Sequence, residues 1–157
     1  MKPSILLAGL VAAPATAGTI SVTIPRLNVA EYHRPYVAGW IEPVGGGAAQ
    51  TLFVWYDVKK AGAEPGTKWL ADLRTWWRKA GRTLKVPADG VSGATRVAGV
   101  QTIPIPANIK PGQYTLFVES TREAGGREVV SLPLSVPTKP SSASGKTELG
   151  AITVSAK

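Results

Sequence analysis

The chain contains no cysteine. No disulfide staples the fold, and there is no thiol for redox work, no haem-attachment motif and no thiolate for an iron–sulfur or zinc centre. Any electron chemistry has to come from a borrowed cofactor. Histidine is nearly absent too: His33 stands alone. One histidine cannot build a metal site alone, and no Ser-His-Asp arrangement can be argued from the sequence, which argues against a hydrolase. His33, beside Arg34, reads as a surface or loop residue. No apolar run beyond the first residues is long enough for a transmembrane helix, and no internal repeat is evident. Acidic residues are few, 10 against 18 lysines and arginines, for a formal net charge of +8.

The first residues read as a targeting segment. Lys2 gives a positive start, Ile5 to Ala13 is an apolar run too short for a stop-transfer helix, and Ala15-Thr16-Ala17 fits a small-x-small cleavage rule. The expected leader is residues 1–17, cut before Gly18, with a single domain over 18–157. Behind a secretion signal the basic surplus points to acidic envelope surfaces, anionic partners or a phosphate-bearing cofactor rather than to nucleic acid. The expected compartment is the periplasm.

What remains reads mainly as strands. Ile20, Val22 and Ile24 alternate with Thr19, Ser21 and Thr23, the period of a half-buried strand. Tyr36 to Ile41 and Leu52 to Val58 are rich in aromatic and β-branched residues, and Gly45-Gly46-Gly47 between them marks a hairpin loop. Further strands are expected at Arg96 to Ile105, Gln113 to Glu119, Glu128 to Val136 and Glu148 to Ser155. Pro104 and Pro106 suggest that the first of these lies at an edge. Thr138 to Lys146 reads as a connector. About seven short strands with regular turn signals predict a mainly β fold, an immunoglobulin- or fibronectin-like antiparallel β-sandwich.

Residues 67–80 break that pattern. Trp69, Leu73, Trp76, Trp77 and Ala80 recur at helical spacing, with Leu70 at the edge of the stripe. Thr67 reads as an N-cap and Gly81 as a C-terminal cap. One short amphipathic helix of about three to four turns is expected as an insertion in the sandwich. Its aromatic stripe is expected to be core for the most part.

The segment Asp89-Gly90-Val91-Ser92-Gly93-Ala94-Thr95 carries the chemistry. Gly90, Gly93 and Ala94 leave its backbone uncluttered, so it can be laid into another enzyme's cleft, and it ends in a hydroxyl. That hydroxyl has no neighbouring base in the sequence, so Thr95 suits the role of a modified substrate rather than of a self-activated nucleophile. Read for structure alone, the segment is a Gly-rich turn leading into the strand at Arg96. The segment resembles the acceptor pattern Asp-x-x-Ser/Thr-Gly-Ala-Thr/Ser of ApbE-type flavin transferases. At average residue usage its five fixed positions would match by chance roughly once in a thousand chains of this size. The resemblance implies FMN, derived from FAD, joined by a phosphoester to Thr95, with Asp89, Ser92, Gly93 and Ala94 as recognition residues. Arg96 is a candidate partner for the FMN phosphate. Trp69, Trp76 and Trp77 are candidate ring contacts, at most one or two of them in practice.

A second resemblance rests on Ile24 to Leu27, Glu31-Tyr32-His33-Arg34-Pro35-Tyr36, Val54 to Asp57, Trp69 to Arg82, Asp89 to Thr95, Pro111 to Leu116 and Gly145-Lys146-Thr147-Glu148-Leu149-Gly150. Together these resemble a family of predicted periplasmic proteins of unknown function, DUF2271, associated with flavin transferases and membrane-embedded reductase components. The implied role is a periplasmic electron carrier with covalent FMN, a substrate of the transferase rather than a self-contained enzyme. Its implied partners are the ApbE-type transferase and a membrane-embedded reductase or other periplasmic redox protein. The competing expectation is a non-redox periplasmic Ig-like module that binds a glycan, an envelope polymer or a protein.

Overall fold

The computed structural model describes residues 16–157. Of the expected leader, residues 1–15 lie outside that range, and Thr16 and Ala17 open the first strand. Nine strands are found among the described residues: β1 (Thr16–Ile24), β2 (Tyr36–Pro43), β3 (Gln50–Tyr56), β4 (Ser92–Ala94), β5 (Gly99–Pro106), β6 (Gly112–Thr121), β7 (Arg127–Val136), β8 (Ser141–Ser144) and β9 (Ala151–Ala156). They form two sheets, ordered β5-β1-β9-β8 and β4-β3-β2-β6-β7.

The chain is a mainly β, two-sheet sandwich. Its core fills the space between the sheets, where Ile20, Val22, Ile105 and Ile152 of one sheet meet Val37, Leu116, Val118 and Leu134 of the other. The alternation of β1 therefore reads correctly: its isoleucines and valine are buried and its threonines are not. β5 lies at a sheet edge, as Pro104 and Pro106 indicate, since proline cannot donate to a ladder. β2 and β3 pair as the expected antiparallel hairpin, with a register shift between Gly39 and Trp40 that turns the consecutive Leu52 and Phe53 both into the core.

Several strands differ from expectation, β9 among them, which begins at Ala151 rather than Glu148. β4 pairs parallel to β3, so the five-stranded sheet is not wholly antiparallel. β8 lies within the stretch expected as a connector and pairs with β9 through Ser141↔Val154 to Ser144↔Ala151. The strand expected from Arg96 begins only at Gly99.

The outer face of the five-stranded sheet carries a second apolar cluster. Tyr36, Ala38, Trp40, Val54 and Tyr56 are buried there beneath Leu70, Leu73 and Trp76. This explains why β2 is buried almost throughout rather than alternately: both of its faces are covered. The cover is not one helix over 67–80. It is a 3-10 turn (Gly66–Asp72), a break at Leu73, a short helix α1 (Arg74–Lys79) and a further 3-10 turn (Gly81–Thr83). Pro65, not Thr67, flanks the start, and Ala80, not Gly81, caps α1. Leu70 of the 3-10 turn, Leu73 at the break and Trp76 of α1 are the large side chains buried. Trp69 is thereby left at the rim instead of in the stripe. Gly81 lies so close to Trp76 that a Cβ there would meet the indole ring at 2.6 Å.

A buried carboxylate ties this cover to the sheet. Glu119 of β6 is fully buried and accepts the backbone N–H groups of Thr75 (3.1 Å) and Trp76 (2.8 Å). Arg127 donates to the same carboxylate at 2.7 Å. The first turn of α1 has no acidic residue and no side-chain cap of its own, so Glu119 supplies its acceptor from a distant strand.

Candidate functional site

Asp89 to Thr95 lies at the edge of the five-stranded sheet. Ala88 to Val91 makes a turn in which the N–H groups of Val91 (3.1 Å) and Ser92 (2.9 Å) donate to the Ala88 carbonyl. The Ala88 N–H donates in return to the Ser92 hydroxyl at 2.9 Å. Gly90 sits at φ +72, a left-handed conformation that glycine takes without steric cost. The chain then enters β4, with Ser92, Gly93 and Ala94 opposite Val54, Trp55 and Tyr56. β4 is an outermost strand, so its other edge is open to a partner protein. Asp89, Gly90 and Ala94 are exposed, and Ser92, Gly93 and Thr95 are half-buried.

Thr95 leaves β4 at the lip of a cleft of about 610 Å3. One wall is the segment before and into β2, with Tyr32, His33, Arg34 and Tyr36. Asp57 and Lys60 follow β3, Trp69 and Asp72 come from the 3-10 turn, and Thr121 to Ala124 close the far end. A smaller hollow of about 220 Å3 adjoins it, lined by Tyr56, Asp57, Val58, Lys59, Lys60, Ala94 and Thr95. Asp57, Lys60 and Thr95 belong to both, so the threonine stands where the two spaces meet.

The cleft has ordered polar walls. Tyr36 donates its hydroxyl to the Gly66 carbonyl at 2.9 Å. Burial, with a smaller contribution from the Asp57 charge, pushes its pKa up to about 12, so it remains a neutral donor at any physiological pH. The Lys60 ammonium lies over the Trp69 ring, 4.3 Å from its centre. His33 sits between two carboxylates, Nε2 at 3.0 Å from Glu31 and Nδ1 at 3.5 Å from Glu123. Arg122 is held by a buried two-point pair with Glu148, Nε to Oε2 at 3.0 Å and Nη2 to Oε1 at 3.2 Å.

Glu148 belongs to the segment 145–150, which a neighbouring carboxylate anchors. Glu128 accepts the backbone N–H groups of Lys146, Thr147, Glu148 and Leu149 at 2.8–3.2 Å. Partial burial tends to raise its pKa, but the four N–H donors outweigh that and hold it below the usual carboxylate range. A carboxyl whose folded pKa is depressed stabilises the fold above its unfolded value, about 4.3, and loses that contribution as pH falls through the folded value. Glu128→Gln is therefore expected to lower stability at neutral pH, with the gap to the parent chain closing below about pH 4. Urea unfolding of both proteins across that range measures it; a gap that widens towards acid contradicts it.

The expected ring contacts separate. Trp69 lines the cleft. Trp76 does not: its indole is fully buried in the outer cluster and donates to the Thr51 hydroxyl at 3.0 Å, out of reach of any ligand. Trp77 is half-buried against the same cluster, its ring 6.3 Å from that of Trp76, and is not a cleft residue. Arg96 also falls outside the cleft. Its guanidinium lies 5.0 Å over the Trp55 ring, and Trp55 packs into the inter-sheet core, on the opposite side of β3 from Tyr36 and Trp69.

Tyr32, Arg34, Tyr36, Lys60 and Arg122 are cleft residues that sequence reasoning did not single out as such. The signal for the first three was the dense aromatic and cationic run Glu31 to Tyr36. Lys60 and Arg122 had none, because loop packing brings them in. Among the described residues no group of three or more histidines and carboxylates could hold a metal ion, and no helix is long and apolar enough to cross a membrane.

No curated protein and no solved structure matches the chain. A family model does, over residues 17–151, nearly the whole described structure and all of the cleft. The chain belongs to the family of predicted periplasmic proteins DUF2271, and its compartment is the periplasm.

Proposed function

We propose that this protein carries FMN on Thr95 and serves as a periplasmic electron carrier. The observation that carries the reading is the position of Thr95: the hydroxyl residue of an acceptor-like segment follows an edge strand and lines a cleft of about 610 Å3. A cleft of that size suits a group as large as FMN. Its residues fit the group, with Tyr32 and Trp69 for a flat apolar ring and Lys60, which lines both hollows with Thr95, for a phosphate.

In the attachment step the Thr95 oxygen would form a bond to the flavin-side phosphorus of FAD. The bond from that phosphorus to the bridging oxygen would break and AMP would leave, with the hydroxyl proton passing to a base of the transferase. Asp89, Ser92, Gly93 and Ala94 would be held by that enzyme, an ApbE-type flavin transferase. Once bound, FMN supplies reversible electron transfer, and the protein supplies the tether, the orientation and partial exclusion of water. A membrane-embedded reductase or another periplasmic redox protein would deliver the electrons.

The test is co-production with an ApbE-type transferase in a periplasm. The expected product is a yellow protein whose flavin fluorescence stays with the polypeptide on a denaturing gel. A colourless polypeptide, with the transferase active on another acceptor, would overturn the carrier and leave the cleft to a non-covalent ligand.

A further inference from the structure

The two hollows that meet at Thr95 differ in charge. Besides His33, the larger cleft is balanced, with Arg34, Lys60 and Arg122 against Asp57, Asp72 and Glu123. Arg122 is further neutralised by Glu148. The smaller hollow has Lys59 and Lys60 against Asp57 alone, a surplus of one positive charge. A balanced, aromatic space suits an uncharged ring system, and a lysine-rich one suits an anion.

We infer that the smaller hollow is a phosphate subsite served by Lys59 and Lys60, and that Lys60 acts as a movable cover on Trp69. This rests on the reading of Thr95 as a flavin acceptor. Lys60 borders both spaces, and its ammonium now occupies the indole face of Trp69 at 4.3 Å. A flat ring stacking on Trp69 takes the place of that ammonium. Lysine is a compact charge on a flexible stem, so Lys60 turns from the indole to the phosphate beside Thr95 and exchanges a cation–π contact for a charge-assisted hydrogen bond. The role expected of Arg96 thus passes to Lys60, since Arg96 lines neither hollow.

The experiment uses chain produced without a transferase, titrated with free FMN and with riboflavin, which lacks the phosphate. Flavin anisotropy and quenching of tryptophan emission are the readouts. FMN is expected to bind about tenfold more tightly than riboflavin, the order of one hydrogen bond to a charged group. Lys59→Ala with Lys60→Ala is expected to remove that preference and, because Trp69 is then uncovered, to tighten riboflavin binding, whereas Arg96→Ala keeps the preference. Equal affinities in the parent chain, a preference that survives the double substitution, or no binding of either flavin would overturn the subsite. Attachment at Thr95 is read separately, by mass, so a flavinylated chain without the preference would fail this inference alone.

Discussion

Arg122→Met is expected to destabilise the fold by about 3–5 kcal/mol, the cost of leaving one member of a buried ion pair without its partner. Arg122 and Glu148 are 6 % and 7 % exposed, and after the substitution Glu148 keeps only the Gly126 N–H at 3.1 Å. The pair joins the turn after β6 to segment 145–150, so its loss should also loosen the far wall of the cleft. Urea midpoints measure the effect. The companion variant separates the pair's own worth from the penalty of a stranded charge. Arg122→Met combined with Glu148→Leu should be more stable than Arg122→Met alone, because no charge is then stranded. A single variant within about 1 kcal/mol of the parent would mean that solvent reaches Glu148 freely.

Glu119→Ala is expected to cost about 3 kcal/mol. It removes a charged acceptor from the N–H groups of Thr75 and Trp76 and leaves the buried Trp76 N–H unpaired. For a chain of this size that is a fall of roughly 10 °C in Tm. Glu119→Gln keeps one acceptor oxygen and should lose about half as much. Hydrogen exchange places the effect: amides of α1 and the preceding 3-10 turn should speed up before those of the inter-sheet core. Uniform acceleration over both clusters would contradict the view that Glu119 acts by fixing the cover to the sheet.

Much of the fold was legible because one-sided burial leaves a period. Ile20, Val22 and Ile24 alternate, and Pro104 and Pro106 mark an edge. β2 lacks that period because a second cluster covers its outer face, so only its aromatic and β-branched content gave it away. β4 and β8 were not legible. Ser92-Gly93-Ala94 and Ser141 to Ser144 have little intrinsic preference for a strand, and both are extended because a distant partner pairs with them. The helical cover was found but its winding was not. Repeats of three and of 3.6 both fit so short a stretch, and the structure uses both, a 3-10 turn up to Asp72 and an α-helical turn from Arg74, with Leu70, Leu73 and Trp76 clustered with Trp40, Val54 and Tyr56.

The local geometry of the acceptor-like segment was only partly legible. The turn at Asp89 to Val91 was read from its glycine, although the strand Ser92 to Ala94 that follows was not, and Trp69 lines the cleft. The expectations for Trp76 and Arg96 came from helical spacing and from adjacency to Thr95. Burial overrides the first, and the second fails because the Arg96 guanidinium lies over Trp55, on the other face of β3. The cleft's other wall comes from residues 32–36 and 121–124, and sequence alone does not bring them together.

The central claim is that Thr95 is the attachment point of a flavin. The most direct measurement is the intact mass of the protein isolated from a periplasm that contains an ApbE-type transferase, alongside Thr95→Ala prepared in the same way. The account predicts a gain of one FMN less one water in the parent chain and none in the variant. An unmodified mass in both, with the transferase active on another substrate, or the same gain in both, would contradict it.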